Sequence, residues 1–481
     1  MKRRLTYILL SILLTFSASA SIYDDLPDLG ASSDSVMTPA AERRLGKAFM
    51  RSVRRSVDVI EDPILVEYIE KLGNKVKPKN QARPFHFFIV NNPSINAFAG
   101  PAGYIGINTG LITTTKSEDE LAAVLAHEIA HVTQRHLMRA WENNSQLAIP
   151  NAALIIAAAV LGAAVDTDAG MAVAAGAQAG LAQQQINFTR SNEREADRVG
   201  MEYLTDAGYS ASAMPNFFGR MGKASLSYGA DIPELLLTHP VTNSRIADSL
   251  GRASSYAKTA YEDSIDYEFI KAIVISKEHK DPAEAIARFS ASIEDQRTDS
   301  PEASRLGLAF AYVSKRDYKQ AYKLLLPLAK KYPKHTTITT VLARVEAHTG
   351  KGAKAIARLK QGLDINPSSY ALNLTLVELM IEINAFEEAQ RTLENYAGLT
   401  PDQPRLYHLL AQTAGMAGNR LQSHEYQAEY FYGLGQLEKS IFQLELALKL
   451  PDISFYDSAR IDARLKDIKN EQALMEDKDD L

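Results

Sequence analysis

Ser117-Glu-Asp-Glu-Leu-Ala-Ala-Val-Leu-Ala-His127-Glu128-Ile-Ala-His131-Val132 decides how the chain is read, and its pattern runs on to Arg139. Ser117 with Glu120 three residues on is a capping box, and Glu118, Asp119 and Glu120 complement the positive end of a helix dipole. Leu121, Leu125, Ile129 and Val132 recur at helical spacing, and Ala122, Ala123, Ala126 and Ala130 allow close packing around them. Arg135, His136 and Arg139 suit the negative end of the dipole. The pattern predicts one helix from Ser117 to Arg139.

At about 100° per residue, His127 and His131 project from one face of that helix, one turn or roughly 6 Å apart. Two imidazoles so placed can share a zinc ion at about 2.0–2.1 Å each. Glu128 stands beside them, where it can take a proton from an attacking water and pass it to a leaving amine. The plain alternative is a buried helix that happens to carry two histidines. The capping signals and the residues downstream weigh against it.

Ser191-Asn-Glu193-Arg-Glu195-Ala-Asp197-Arg-Val-Gly200 is helical in pattern and sets Glu193 and Asp197 four apart on one face. Catalytic zinc needs three protein ligands and one open position, and Glu193 can supply the missing ligand. Asp197, one turn on, is placed to hydrogen-bond a ligating histidine or to handle a proton in the reaction. By itself such an acidic pair is usually a solvated helix face; behind a His-Glu-x-x-His helix the metal reading prevails. In Leu237-Thr-His239-Pro240-Val-Thr-Asn-Ser-Arg245, His239 sits in a loop before a proline and Arg245 on the helix that follows. Two functional roles stay open beside a bland loop histidine and surface arginine. Both residues can stabilise the oxyanion formed when water attacks a peptide carbonyl, or His239 can fill the open zinc position and hold the enzyme idle. His136 falls on the apolar-stripe side of its helix, away from the metal.

The chain opens Met-Lys-Arg-Arg, continues through a largely apolar run from Leu5 to Phe16, and then reads Ser17-Ala-Ser-Ala-Ser21. A basic start, a short apolar core and an A-x-A site make residues 1–20 a secretory signal peptide, cut near Ala20. The apolar core is too short to span a bilayer, and no cysteine follows to carry a lipid. With no cysteine among 481 residues there are no disulfides, which fits the periplasm of a Gram-negative bacterium better than a small secreted scaffold. Loss of the signal moves the formal net charge from −5 to −8 and leaves no basic tract, which argues against nucleic acid as a partner.

Residues 21–37 read as a flexible leader. Thr38-Pro39 and Asp62-Pro63 each pair an N-cap residue with proline at the first helical position. Phe85 to Val90 reads as a strand, and Asn96 to Asn108 as a strand pair turning at Gly100, Pro101 and Gly103. An edge strand beside a metal helix can hold an extended peptide by main-chain hydrogen bonds; a sheet that only packs on the helix fits equally well. Leu147 to Val165 is nearly all apolar, and a second Ala/Gly-rich run follows Asp168. Residues 147–189 are therefore expected to form a helical hairpin packed beside the metal helix. A flap over the site, or a peripheral membrane contact through 147–181, is the sharper reading. The catalytic domain so delimited covers 38–255.

His127-Glu-x-x-His131, Glu193-x-x-Ala-Asp197, the Asn96-Ala-Phe strand and the Thr238-His239-Pro240 loop resemble, in order, the motifs of the peptidase M48 family of zinc metalloproteases. The likeness covers roughly 40–255. It implies a gluzincin-type α+β domain with a small β-sheet and one zinc per chain on His127, His131 and Glu193. It further implies Glu128 as the catalytic base and Asp197 in a supporting or proton-donating role.

In the second half Ala321, Ala355 and Ala389 recur every 34 residues, and so do Pro333, Pro367 and Pro401. That is the tetratricopeptide signature: paired helices with a small residue at their crossing. Asp281-Pro-Ala-Glu-Ala285 parallels Asp317-Tyr-Lys-Gln-Ala321, Ser423 continues the alanine series, and Gly435 to Pro451 reads as a closing repeat. Residues 265–470 are expected to form an α-solenoid of four to six units offering a concave face to peptides or partner proteins. An acidic, disordered tail, 471–481, is expected to follow.

The whole is thus mainly α. An M48 domain joined to such repeats behind a signal peptide resembles a group of Gram-negative periplasmic chaperone-proteases. That resemblance implies unfolded or stalled outer-membrane proteins as substrates and the outer-membrane β-barrel assembly machinery as a partner of the repeats. The rivals are a mainly non-catalytic chaperone or scaffold, and a zinc hydrolase that acts on small esters or amides.

Overall fold

The computed structural model describes residues 37–80, 83–141, 149–161, 190–225, 233–257, 264–295, 300–397 and 403–476. The signal peptide, all but the end of the leader, and residues 162–189 of the apolar stretch lie outside the described residues.

Helices α1 (Pro39–Ser56) and α2 (Pro63–Val76) start where a capping side chain meets a proline. The Thr38 hydroxyl accepts from the Ala41 N–H at 3.2 Å, and the Asp62 carboxylate from the Ile64 N–H at 3.0 Å. Three strands follow: β1 (His86–Val90), β2 (Ala97–Ala99) and β3 (Tyr104–Asn108). β3 is central, with β1 parallel to it (His86 opposite Tyr104) and β2 antiparallel (Ala97 opposite Ile107). The turn into β3 requires Gly103: its φ is +81°, and a Cβ there would lie 2.2 Å from the Pro84 carbonyl oxygen.

A short α3 (Thr109–Thr114) leads into α4 (Glu118–Thr133), the predicted metal helix. Ser117 Oγ accepts the Glu120 N–H at 3.3 Å, while the Glu120 carboxylate reaches back to the Lys116 N–H at 2.7 Å and pairs with Arg220. The return bond thus lands one residue earlier than a standard capping box would place it. Leu121, Ala122, Leu125, Ala126, Ile129 and Ala130 are completely buried. α4 runs between β2, α2, α7 (Arg190–Asp206) and α8 (Ala213–Ser225). α7 approaches closely because residue 200 is glycine: a Cβ there would stand 3.0 Å from the Ala126 carbonyl oxygen.

Two expectations are corrected here. The metal helix ends at Thr133 rather than Arg139: Gln134 caps it, Arg135 takes a left-handed φ of +57°, and a separate helix α5 (His136–Trp141) begins. The described half of the apolar stretch, α6 (Ile149–Leu161), packs against α1 rather than beside α4. There Ala152, Ala153, Ile156 and Ala157 join Leu45, Phe49, Phe88 and Phe98 in one core, so this half of the run is apolar because it is interior. Among the described residues no helix is long and apolar enough to cross a membrane.

Short α9 (Glu234–Thr238) and α10 (Asn243–Ala253) complete the first half, and the described residues of the second form six helix pairs. The pairs are α11 (Ile265–Glu278) with α12 (Pro282–Glu294), α13 (Pro301–Ser314) with α14 (Tyr318–Lys331), and α15 (Thr336–His348) with α16 (Gly352–Ile365). They continue with α17 (Tyr370–Glu382) and α18 (Phe386–Ala397), α19 (Pro404–Met416) and α20 (Arg420–Gly433), and α21 (Leu437–Leu448) and α22 (Phe455–Glu476). Ala285, Ala321, Ala355 and Ala389 are completely buried at the crossings, as the period requires. Where serine replaces alanine, its hydroxyl is satisfied by the preceding helix: Ser423 donates to the Ala411 carbonyl and Ser440 to the Ala428 carbonyl, both at 2.8 Å. The expected tail starts later than 471, because α22 continues to Glu476 and Glu471 pairs with Arg51 of α1.

The repeats grip the first half at several places. Tyr267 and Lys271 of α11 both donate to the Thr115 carbonyl at 2.5 Å, just ahead of the metal helix. Glu67 of α2 accepts from Ser369 Oγ at 2.6 Å and from the Ala371 N–H at 2.8 Å. Arg54 of α1 donates to the Gly433 carbonyl at 3.2 Å, beside the Arg51–Glu471 pair.

Candidate metal centre

Four segments converge on the site. α4 brings His127, Glu128 and His131; α7 brings Glu193 and Asp197; the loop between α9 and α10 brings His239, and α10 itself Arg245. All seven are buried, none more than 5 % exposed. One donor atom each from His127, His131, Glu193 and His239 lies within 4.8 Å of all the others.

The spacing tests whether a metal fits. Four ligands held tetrahedrally at about 2.0–2.1 Å from zinc stand roughly 3.3 Å from one another. His127 Nε2 is 3.0 Å from His131 Nε2 and 3.4 Å from His239 Nδ1. Glu193 Oε1 is 3.4 Å from His131 Nε2 and 2.9 Å from His239 Nδ1, and Glu193 Oε2 is 3.5 Å from His127 Nε2. These separations, 2.9–3.5 Å with Glu193 counted through either oxygen, lie close to that spacing, and the donor set of three imidazoles and a carboxylate suits a borderline cation.

Both carboxylate oxygens of Glu128 are buried with no hydrogen-bond partner, and His239 Nε2 stands 3.6 Å off. Val124, Phe217, Phe218, Met221 and Leu235 face Glu128 and His127 across a cavity of about 10 Å³, barely the room one water needs. Burial in that apolar wall pushes the Glu128 carboxyl above its usual range. Glu193 goes the other way: burial alone would raise it, but His239, His127 and His131 beside it hold it well below the carboxylate range. Burial likewise favours a neutral His127, yet the Asp197 and Glu193 carboxylates outweigh it and push the imidazole up to about 10. A cation entering the site would displace that proton.

Asp197 stands as a support. Its Oδ1 is 3.1 Å from His127 Nδ1, while Arg245 grips the same carboxylate through Nε and Nη2, each at 2.7 Å. Burial opposes ionisation of Asp197, but Arg245 and His127 keep its carboxyl below the ordinary range. Arg245 itself is directed otherwise than the oxyanion expectation. Its remaining Nη1 lies 2.8 Å from Glu193 Oε2 and 2.9 Å from the Pro240 carbonyl, so its fork holds the acids and the His239 loop in place.

His136 is a second correction. The helix break at Arg135 carries it toward the metal ligands rather than away: His136 Nδ1 is 2.8 Å from His131 Nδ1, and its Nε2 is 3.0 Å from Glu195 Oε2. The helical pattern turns His136 away from the metal and assigns Glu195 no role. The one available signal was a further acid, Glu195, between Glu193 and Asp197.

Two imidazoles one helical turn apart, a carboxylate from a second helix and an unpartnered glutamate beside them are the working parts of a metallopeptidase. Residues 61–253 match peptidase family M48, and residues 347–413 match a tetratricopeptide repeat. The chain is 34 % identical over 472 residues to the beta-barrel assembly-enhancing protease of Yersinia pestis, spanning 96 % of this chain and 97 % of that one. It is 32 % identical over 457 residues to the protein of that name from Escherichia coli (strain K12), spanning 95 % and 93 %. A shorter similarity, 30 % over 187 residues, links 37 % of it to 35 % of the mitochondrial metalloendopeptidase OMA1 of Arabidopsis thaliana. The chain belongs to the M48 metallopeptidases, in the family of beta-barrel assembly-enhancing proteases.

Proposed function

We propose that the protein is an exported zinc endopeptidase, with zinc held by His127, His131 and Glu193 and with Glu128 as its general base. One observation carries the reading: four buried donor atoms gathered within 4.8 Å of one another, beside a buried glutamate whose oxygens accept no hydrogen bond. When bound, the ion would supply Lewis acidity toward a water and a peptide carbonyl. Glu128, held in an apolar wall, takes the proton from the attacking water and later delivers it to the departing nitrogen. Asp197 fixes the His127 ring, and Arg245 fixes Asp197.

His239 takes the corner that a catalytic site must leave open, so its spacing supports the idle-state reading over the oxyanion one. The signal sequence and the named relatives support a periplasmic location in a Gram-negative bacterium, and substrates among misassembled outer-membrane proteins. The repeats would recruit partner proteins of that assembly machinery, and a chaperone role would rest on the same surface.

The test is metal analysis of the purified mature protein together with casein cleavage by wild type and Glu128→Gln. Zinc near one per chain in both, with cleavage in wild type alone, is the expected result. Equal cleavage by the two would overturn the assignment of Glu128. A Glu128→Gln protein that fully replaced wild type in cells would move the main function to the non-catalytic scaffold.

A further inference from the structure

We infer that His136 and Glu195 are positioning residues, a two-link relay that locks the tautomer and ring angle of the metal ligand His131. The inference rests on the zinc assignment above and adds residues to it. His131 offers Nε2 to the shared centre, so its neutral ring must carry a proton on Nδ1. That N–H needs a buried acceptor. His136 Nδ1 lies 2.8 Å away and can accept only if its own proton sits on Nε2. Glu195 Oε2, 3.0 Å from that Nε2, is the acceptor that makes this so. This arrangement of protons gives each of these donors an acceptor. Arg139 approaches the same Glu195 oxygen at 3.5 Å.

The backbone is bent to produce this contact. Had α4 continued, residue 136 would lie about 140° round the helix from residue 131. Instead the Gln134 N–H closes on the Ala130 carbonyl, the Arg135 N–H on the Val132 carbonyl, and Arg135 adopts φ +57°. Residues other than glycine rarely adopt that region. His136 emerges from the bend completely buried, its ring 4.8 Å from the His131 ring at 75°. The two ligating histidines are thus backed differently: His127 directly by Asp197, and His131 through a second imidazole by Glu195.

The test measures zinc affinity by competition with a chromophoric chelator, alongside the visible spectrum of the cobalt-substituted protein. His136→Leu fills the space but removes the acceptor, and should weaken zinc binding about 10- to 100-fold. His136→Asn places an amide oxygen close to the Nδ1 position and should stay within about threefold of wild type. Glu195→Ala, which frees the tautomer, should fall between them. Circular dichroism of the metal-free variants checks that each is folded. The relay is overturned if folded His136→Leu binds zinc with wild-type affinity and an unchanged cobalt spectrum. It is also overturned if His136→Asn loses as much as His136→Leu, which would make His136 mere packing. If wild type itself bound no zinc, the proposed function would fail first, and that outcome is read from the same titration.

Discussion

Removing the His239 side chain separates its two candidate roles by the sign of the effect. In the idle-state reading, His239 must leave its corner before water can be activated there. In that reading the contact it gives up is its place on the metal, where Nδ1 stands 2.9 Å from Glu193 Oε1 and 3.4 Å from His127 Nε2. A gap of about 1.5–3 kcal/mol between the closed and open arrangements leaves roughly one molecule in ten to one in a hundred open. His239→Ala should therefore raise kcat/KM on an unstructured substrate about 10- to 100-fold, with zinc content unchanged. In the oxyanion reading the same change removes a transition-state donor and lowers kcat by about 10²–10³. Initial rates on a fluorogenic casein, with metal content measured on the same preparations, decide between them. A fall in rate at full zinc occupancy would refute the idle-state argument, and a His239→Ala/Glu128→Gln double variant should be inactive in either case.

Three further outcomes follow from particular residues. Because burial raises the Glu128 carboxyl and a base works only when deprotonated, the acidic limb of kcat/KM should lie above the range of an ordinary glutamate. Glu128→Gln should abolish that limb and cost about 10²–10⁴ in kcat. At Gly200, even a methyl would press on the Ala126 carbonyl at 3.0 Å and the His127 Cα at 3.1 Å. Gly200→Val should push α7 off α4, part Glu193 from the histidines and weaken zinc binding at least tenfold, as read by chelator competition. Glu70 is held at about 7 by burial, which outweighs the hydrogen bonds it accepts from the Phe87 N–H and Asn74. The folded state then keeps a proton that the unfolded chain releases from near pH 4.5, so stability is lost as pH rises through that interval. Glu70→Gln should recover roughly 2–3 kcal/mol at pH 8 and almost nothing at pH 4, as measured by urea unfolding at both.

The readable parts of the sequence were those whose physics is local. His127, Glu128 and His131 share a face because of a helix whose caps and apolar stripe lie within one short segment, and Glu193 and Asp197 repeat that logic on α7. The alanines of the repeats are legible because each crossing has the same steric need. Orientation between elements was not legible. Nothing from Thr133 to Arg139 disfavours helix, so the turn at Arg135 is a tertiary choice, and with it went His136. Arg245 carries the same charge whether it faces an oxyanion or two carboxylates, and only the meeting of α7 and α10 selects the carboxylates. The Leu147 run announces an interior without naming the wall it meets, and that wall is α1.

The grip of the repeats on the catalytic half was equally hidden, because its contacts join residues hundreds of positions apart: Glu67 with Ser369, Arg51 with Glu471. Its placement bears on how the two halves act together. Tyr267 and Lys271 hold the Thr115 carbonyl two residues before Ser117 caps the metal helix. Ten residues further along that continuous helix is His127. A rigid helix transmits displacement along its axis, so a load that shifted α11 would act first on the cap of α4 and then on the ligands. The opposite ends of the solenoid are tied to different parts of the catalytic domain, α11 to the approach of α4 and the α20–α22 region to α1. A partner that flexed the array would therefore pull those parts against each other. The peptidase half and the repeats are thus joined by hydrogen bonds and an ion pair as well as by the chain.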